Sequence, residues 1–350
     1  MTHSTIGWDI GGAHLKAVLI DAAGNAVQVL QVTCSLWKGL DVLALAIDEV
    51  LTTFNPANNS VHAITMTGEL ADIFPDRHDG VLQIVDLVNT KLNGKKLYYA
   101  GQQGFVQFEQ VVENTNNIAS ANWLASAHYI AKKYPQALLV DMGSTTTDFM
   151  VIANGQPQCR GYSDAMRMQV DELVYTGMIR TPLMALTNSV PFAGEWCTLA
   201  AEYFATTADV YRLTGELSAL EDMSDTADGK GKTILDSARR LARMIGRDIG
   251  EADITAWVAL AQVFRQAQLN MLKNAAMRHF SILDGTRLLL DVKTPIIAAG
   301  VGSQLIKELA LQLNRSFINV TELISSNTDS EKKWASVCFP AYAVANLAIN

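Results

Sequence analysis

From Leu138 to Ile152 the chain runs through an apolar stretch into Asp141, Met142 and Gly143, then Ser144, Thr145, Thr146, Thr147 and Asp148, and returns in a second apolar run. That pattern predicts a strand, a tight polar turn and a returning strand. Only small side chains fit where backbone N–H groups close around an anion, and the hydroxyls of Ser144 to Thr147 add donors to those amides. The turn reads as a phosphate cradle. Near the N-terminus the layout recurs: Ile6 to Ile10 ends in Asp9-Ile10-Gly11, the small turn is Gly12, Ala13 and His14, and Leu15-Lys16 opens a second apolar run to Ile20. A half-motif repeated about a third of the chain apart predicts two related domains facing a shared cleft.

Core material is ample for two domains. Of 350 residues 49% are hydrophobic and 18% charged, a composition that folds and does not remain disordered. The net charge of −8 opposes nonspecific attraction to nucleic acid or anionic lipid and makes a small-molecule ligand the default. Cys34, Cys159, Cys197 and Cys338 form no CxxC pair and read as reduced thiols. No basic-then-apolar leader opens the chain, and no run of about 18 apolar residues occurs. The expectation is a cytoplasmic protein without membrane or nucleic-acid partners; a homodimer is compatible with the sequence.

Residues 5–33 read as a three-stranded meander carrying the first loop. Helical spacing from Gly39 to Thr53 and a strand from Val61 to Met66 add the crossover that starts an α/β sheet. Thr67, Gly68 and Glu69 follow that strand, where open sheets bind ligands; Thr67 as a helix N-cap is the plainer alternative. Asp76 to Gly80 reads as a charged turn, Leu97 to Val106 as a strand pair and Ile118 to Lys133 as a helix. After the second hairpin, Asn154-Gly155 predicts a two-residue turn into a strand over 156–162. Helices are expected at 166–177, Ser237 to Met244 and Ile254 to His279, with a polar insertion between. The stretch from Lys293 should be a strand running into Gly300-Val301-Gly302-Ser303, a turn that admits close approach of a base or ribose, followed by a helix from Gln304 to Leu313. The last apolar helix, Ala341 to Ile349, should fold back on the first domain. Domain boundaries follow: 1–135 with about 320–350 as the first domain, and 136–319 as the second, with a helical insertion at about 178–250 and the nucleotide-type turn at 298–303.

Two Asp-x-Gly hairpins followed by a late strand ending in Gly-x-Gly-Ser resemble the actin, sugar kinase and Hsp70 superfamily. Within it, residues 7–16 and 140–148 are similar to the hydantoinase/oxoprolinase branch. The short length, Thr67 to Asp72 and Thr226 to Gly229 resemble its small members linked to tetrahydromethanopterin-dependent one-carbon metabolism. The resemblance implies a two-domain actin-like (ribonuclease H-like) α/β fold with a cleft between the domains. It further implies a transferase of methanofuran or methylofuran biosynthesis, joining an aminomethylfuran-methyl diphosphate to the phenol oxygen of a tyramine or γ-glutamyl-tyramine and releasing diphosphate. Two departures from full-length hydantoinases are expected: these 350 residues leave no room for their long additional domains, and Ala13-His14 stands where they place hydroxylic residues.

On that reading Asp9 and Asp141 orient Mg²⁺, and Lys16 neutralises charge growing on the leaving diphosphate. Gly11, Gly12, Ala13 and His14 cradle phosphate, as do Gly143, Ser144, Thr145 and Thr146. Gly300, Gly302 and Ser303 form the nucleotide-type loop, so ATP or ADP is admitted but not required. Asp148, Glu69 and Glu195 are candidate acceptors of the phenol proton. Arg180 and Arg167 are candidate clamps for substrate carboxylates, and Trp123 and Trp196 are candidate stacking platforms. The alternatives are an ATP-dependent kinase or amide hydrolase, and a non-catalytic nucleotide switch.

Overall fold

The computed structural model describes residues 4–349. Contacts divide the chain into two compact units: one holds the residues up to Leu139, Met150–Ala165 and those from Ile318 on, and the other holds Val140–Phe149 and Met166–Phe317.

The first unit begins with the expected meander, β1 (Thr5–Ile10), β2 (His14–Ile20) and β3 (Ala26–Thr33). It continues through α1 (Leu40–Phe54), β4 (Val61–Met66), α2 (Arg77–Lys91), β5 (Lys95–Tyr99), β6 (Phe105–Val106), α3 (Val111–Ile118) and α4 (Asn122–Ala131). The sheet order is β3-β2-β1-β4-β5-β6, with β4 parallel to β1 and to β5. Period-two alternation decides what each face of β1 does. Ile6, Trp8 and Ile10 join the apolar core with Leu43 and Ile47 of α1 and Ile84 and Val88 of α2. Gly7 and Asp9 therefore point to the opposite face. There the final helix crosses so closely that a Cβ on Gly7 would lie 1.9 Å from the Ala341 carbonyl oxygen.

In chain order follow β7 (Ala137–Met142), β8 (Thr147–Ala153), β9 (Gln156–Pro157), α5 (Asp164–Gln169), β10 (Leu173–Val174), and the hairpin of β11 (Ser189–Phe192) and β12 (Glu195–Thr198). Then come α6 (Thr207–Thr214), α7 (Ile234–Met244), α8 (Ile254–Phe280), a small hairpin of β13 (Leu283–Asp284) and β14 (Arg287–Leu288), β15 (Ile296–Ala299), α9 (Ser303–Gln312), β16 (Phe317–Asn319), α10 (Asp329–Val337) and α11 (Phe339–Ala348). The second sheet is ordered β10-β8-β7-β15-β16. In the second unit α6, α7 and α8 bury an apolar cluster with the β11–β12 hairpin, where Phe192 stacks on Trp257 with centroids 4.8 Å apart. Beside it lies a buried ion network: Arg212 pairs with Asp209 and Asp222, and Arg240 with Asp209 and Asp228, at 2.7–3.0 Å. The polar residues of the insertion thus spend much of their charge on each other.

Five local expectations are corrected. Asp76 to Gly80 is a helix start and not a turn: the Asp76 carboxylate accepts from the Asp79 amide, and Val81, Ile84, Val85 and Val88 bury one face of α2. Thr67 is no helix cap, since helix begins only at Arg77. The helix expected over 118–133 begins only at Asn122 and ends at Ala131; Ser120, which stands at φ 51°, lies before it and separates it from α3. After the Asn154-Gly155 turn, whose residues take φ 54° and 69°, pairing lasts only for Gln156–Pro157, and helix over 166–177 gives way to β10.

Candidate functional site

The first loop is set by β1 and β2. Asp9 and Lys16 are directly opposed in the antiparallel ladder, so both side chains leave the sheet on one face. Asp9 is 4% exposed, and Asn122 at the start of α4 donates to its Oδ1 at 3.3 Å. The turn closes with the Gly11 N–H donating to the His14 carbonyl at 3.0 Å. The Gly12 and Ala13 carbonyls accept from Leu36 and Cys34 at 3.0 and 2.9 Å. With those carbonyls tied back, the Gly12 and Ala13 amides meet no protein acceptor among the described residues, and no atom lies within 4 Å of where a Gly12 Cβ would stand. Donors arranged in this way suit an anion. The Thr67 and Gly68 amides both donate to the Ile10 carbonyl at 2.9 Å, which fixes the segment after β4 against this loop.

Within the second unit the other loop repeats the closure: Gly143 N–H donates to the Thr146 carbonyl at 2.9 Å. Among the described residues the amides of Ser144, Thr145 and Thr146 have no protein acceptor. A brace holds the loop from behind. The Ser144 carbonyl accepts from the Ile179 and Arg180 amides at 3.0 and 2.9 Å, and the Gly143 carbonyl from Met178 at 3.0 Å. Gly177 lies so close that a Cβ would come within 2.6 Å of the Thr145 nitrogen. Gln268 of α8 ties the brace to the helices, donating to the Thr176 Oγ1 and the Gly177 carbonyl at 2.8 Å while accepting from Tyr211 at 2.6 Å.

The nucleotide-type turn meets the same strand end. Gly302 N–H donates to the Met142 carbonyl at 2.9 Å. Gly300 takes φ +79°, and a Cβ there would stand 2.5 Å from Asp141 Oδ1, so only glycine allows the approach. Ser303 spends its hydroxyl inside the turn, donating to the Gly300 carbonyl at 2.6 Å.

Seven residues after each aspartate the two motifs diverge. Lys16 follows Asp9, whereas Asp148 follows Asp141, and Asp148 is ion-paired to the buried Arg167 at 2.8 Å. Arg167 also donates to the Glu172 carbonyl at 3.0 Å, which commits its guanidinium within the fold. Arg180 stands exposed beside the second loop through its own amide. Glu195 lies exposed on the β11–β12 hairpin, and Trp196 next to it is 75% exposed. Among the described residues no hydrogen bond or ion pair joins Glu195 to the loop residues. Trp123 is buried, its amide accepted by Asn122 Oδ1 at 2.7 Å.

Glu69 is fully buried. Its Oε1 accepts from Ser120 at 2.7 Å and stands 4.0 Å from Arg77 Nε, while Oε2 has no partner. Burial pushes this carboxyl above the usual carboxylate range, with the Ser120 hydrogen bond and the Arg77 charge opposing the rise. Sequence reasoning missed Asn122 as a partner of Asp9, Ser120 as a partner of Glu69 and Gly177 as a wall of the second loop. None has a local motif to announce it. Among the described residues no three His, Cys, Asp or Glu side chains gather around a metal position, and no helix is long and apolar enough to cross a membrane.

The chain is similar in sequence and in fold to known proteins. A synthase of Methanocaldococcus jannaschii, named for (4-{4-[2-(gamma-L-glutamylamino)ethyl]phenoxymethyl}furan-2-yl)methanamine, is 28% identical over 98% of this chain and 96% of its own length. The synthase of the same name from Methanococcus vannielii is 27% identical over 61% of this chain and 90% of its own. The nucleotide-free structure of acetone carboxylase superposes with a TM-score of 0.53 at 10% identity, covering 99% of this chain and 70% of that one, which supports the actin-like α/β fold. The hydantoinase/oxoprolinase family model matches residues 60–348; with so much of the sequence covered, the chain belongs to the hydantoinase/oxoprolinase family.

Proposed function

We propose that this protein is a transferase that makes an aryl–alkyl ether, condensing an aminomethylfuran-methyl diphosphate with the phenol oxygen of γ-glutamyl-tyramine or tyramine and releasing diphosphate. The observation that carries the reading is the pair of like-closed hairpin loops whose amides, at Gly12 and Ala13 and at Ser144 to Thr146, have no protein acceptor among the described residues. Each is a donor set for one phosphoryl group. The relatives named for a phenoxymethyl-furan product, similar over nearly the whole chain, supply the identity of the groups to be joined.

In the proposed step the bond between the furan-methyl carbon and the diphosphate oxygen breaks, and the phenol oxygen bonds to that carbon. The phenol proton leaves to a base or to water, and the departing electron pair stays on diphosphate. Charge therefore grows on the leaving group. Lys16, fixed opposite Asp9, offers a cation there, and donors oriented before the bond breaks need no reorganisation as charge develops. Asp9, held by Asn122, and Asp141, beside Gly300, each offer the single carboxylate that Mg²⁺ accepts while keeping most of its waters. Such an ion would supply charge neutralisation to the diphosphate. Asp148 is held in place by its ion pair with Arg167, which would let it orient a donor.

The test is an incubation of purified protein with Mg²⁺, the furan diphosphate and γ-glutamyl-tyramine. Diphosphate release requiring both organic substrates supports the reading, and its absence from protein that binds pyrophosphate overturns it. A second reading, an ATP-dependent kinase or hydrolase, is favoured by the turn of Gly300 and Gly302 lying against Asp141 and Met142. ATP binding by calorimetry together with ADP formation in the absence of any diphosphate substrate would select it.

A further inference from the structure

Glu69 stands out among the buried titratable groups. A fully buried carboxyl with one oxygen lacking any partner costs folding free energy that an apolar side chain would not. What it touches connects it to the first loop by two routes. Along the backbone, the adjoining Thr67 and Gly68 amides both grip the Ile10 carbonyl at 2.9 Å. From behind, α2 presses so tightly that a Cβ on Gly80 would lie 2.2 Å from the Glu69 carbonyl oxygen, which leaves this segment little room to shift. Through the side chain, Glu69 Oε1 accepts from the Ser120 hydroxyl at 2.7 Å. Two residues on, Asn122 donates to Asp9 at 3.3 Å and caps its neighbour Trp123 at 2.7 Å.

Ser120 is the hinge of this second route. It is a non-glycine residue at φ 51°, a strained conformation that persists only where the surrounding structure imposes it. The turn it forms lies between α3 and α4 and puts Asn122 at the head of α4. The charged groups facing the Glu69 carboxyl are Arg77, 4.0 Å from Oε1, and Asp164, which is paired with Arg77 at 3.1 Å.

We propose that Glu69 is a positioning residue for the first phosphate loop: through Ser120 it holds the Ser120–Asn122 turn in the conformation from which Asn122 orients the Asp9 carboxylate. This rests on the diphosphate reading for its consequence and on the hydrogen-bond chain alone for its mechanics. Glu69 reaches Asp9 only through Ser120 and Asn122, so its removal alters how the loop is presented and not which groups present it.

The experiment compares wild type with Glu69→Ala, Ser120→Ala, the double variant and Glu69→Gln, using the full chain throughout. Two quantities are measured: hydrogen exchange of the amides at 119–123, and affinity for Mg²⁺-pyrophosphate by calorimetry. Losing the Glu69–Ser120 hydrogen bond should weaken pyrophosphate binding about tenfold and speed exchange of the turn by a similar factor. The double variant should be no worse than either single one, because both remove the same contact. Glu69→Gln, which keeps an acceptor oxygen at Oε1, should restore both readings to near wild type. Unchanged exchange in Ser120→Ala, or additive losses in the double variant, would overturn the proposal. Faster exchange with undiminished pyrophosphate affinity would also overturn it, by cutting the link to the loop. If wild type binds no pyrophosphate, the proposed reaction falls, while exchange across the five proteins still decides whether Glu69 holds the turn.

Discussion

Asp9 and Lys16 stand directly across from each other on neighbouring antiparallel strands, a carboxylate and an ammonium placed on one face of the sheet by the same alternation that buries Ile6, Trp8 and Ile10 on the other. Because the spacing is set by backbone hydrogen bonds, the pair is positioned before any ligand arrives.

Lys16→Met should therefore keep the fold, since Lys16 is only part-buried and methionine fills its stem. Removing the cation from a growing negative charge should lower turnover by about a hundredfold or more, with a smaller change in ground-state pyrophosphate affinity. Steady-state diphosphate release and calorimetry on the same sample separate the two. Equal losses in both would assign Lys16 to ground-state binding alone.

Arg167→Met tests the contrasting site. Arg167 is 1% exposed and holds Asp148 at 2.8 Å, so its loss removes a largely buried ion pair together with its hydrogen bond to the Glu172 carbonyl, which still accepts from the Phe149 amide at 2.8 Å. A destabilisation of about 3 kcal/mol is expected, read as a shift in the urea midpoint. Asp148→Asn, which leaves a neutral acceptor facing Arg167, should cost less.

Gly177→Ala probes the brace behind the second loop. A methyl there would stand 2.6 Å from backbone atoms of Ser144 and Thr145, which cannot move aside as a side chain would. The loop must shift, and pyrophosphate affinity should fall at least tenfold while the helical far-UV signal is unchanged. By the same reasoning Gly12→Ala, which meets open space, should leave the fold unaltered in thermal unfolding.

A pH dependence follows from His62. Burial, helped by the Lys96 charge and opposed by a hydrogen bond to the Asn93 carbonyl, lowers its pKa from 6.5 to about 4. Its Nδ1 accepts from Trp8 at 3.1 Å, which requires that nitrogen to be unprotonated. The folded value lies below the unfolded one, so as pH falls from 6.5 towards 4 the unfolded chain takes up a proton that the folded chain refuses. Stability should be full above pH 6.5 and should decline by up to about 3 kcal/mol across that window. His62→Gln, which keeps an acceptor for Trp8 and does not titrate, should flatten that part of the profile in urea unfolding measured at several pH values.

Some of this molecule was decided by the sequence alone. The two loops, the turn at Gly300 to Ser303, the meander of β1 to β3, and α8 were all legible, because a tight turn is specified by the residues inside it and a long amphipathic helix by its own period. Which groups meet was decided by the tertiary structure. Asn122 lies 113 residues from Asp9 and Ser120 lies 51 from Glu69, and nothing local marks either as a partner. Ser120 stands at φ 51° between α3 and α4 and donates to the buried Glu69, a geometry that residue spacing does not reveal. Likewise Asp148 has the same place in its motif as Lys16, and only the fold, by bringing Arg167 to it, determines that its charge is matched within its own unit. Local chemistry sets the shape of a loop, whereas burial and pairing across long stretches of chain set the electrostatics of what that loop presents.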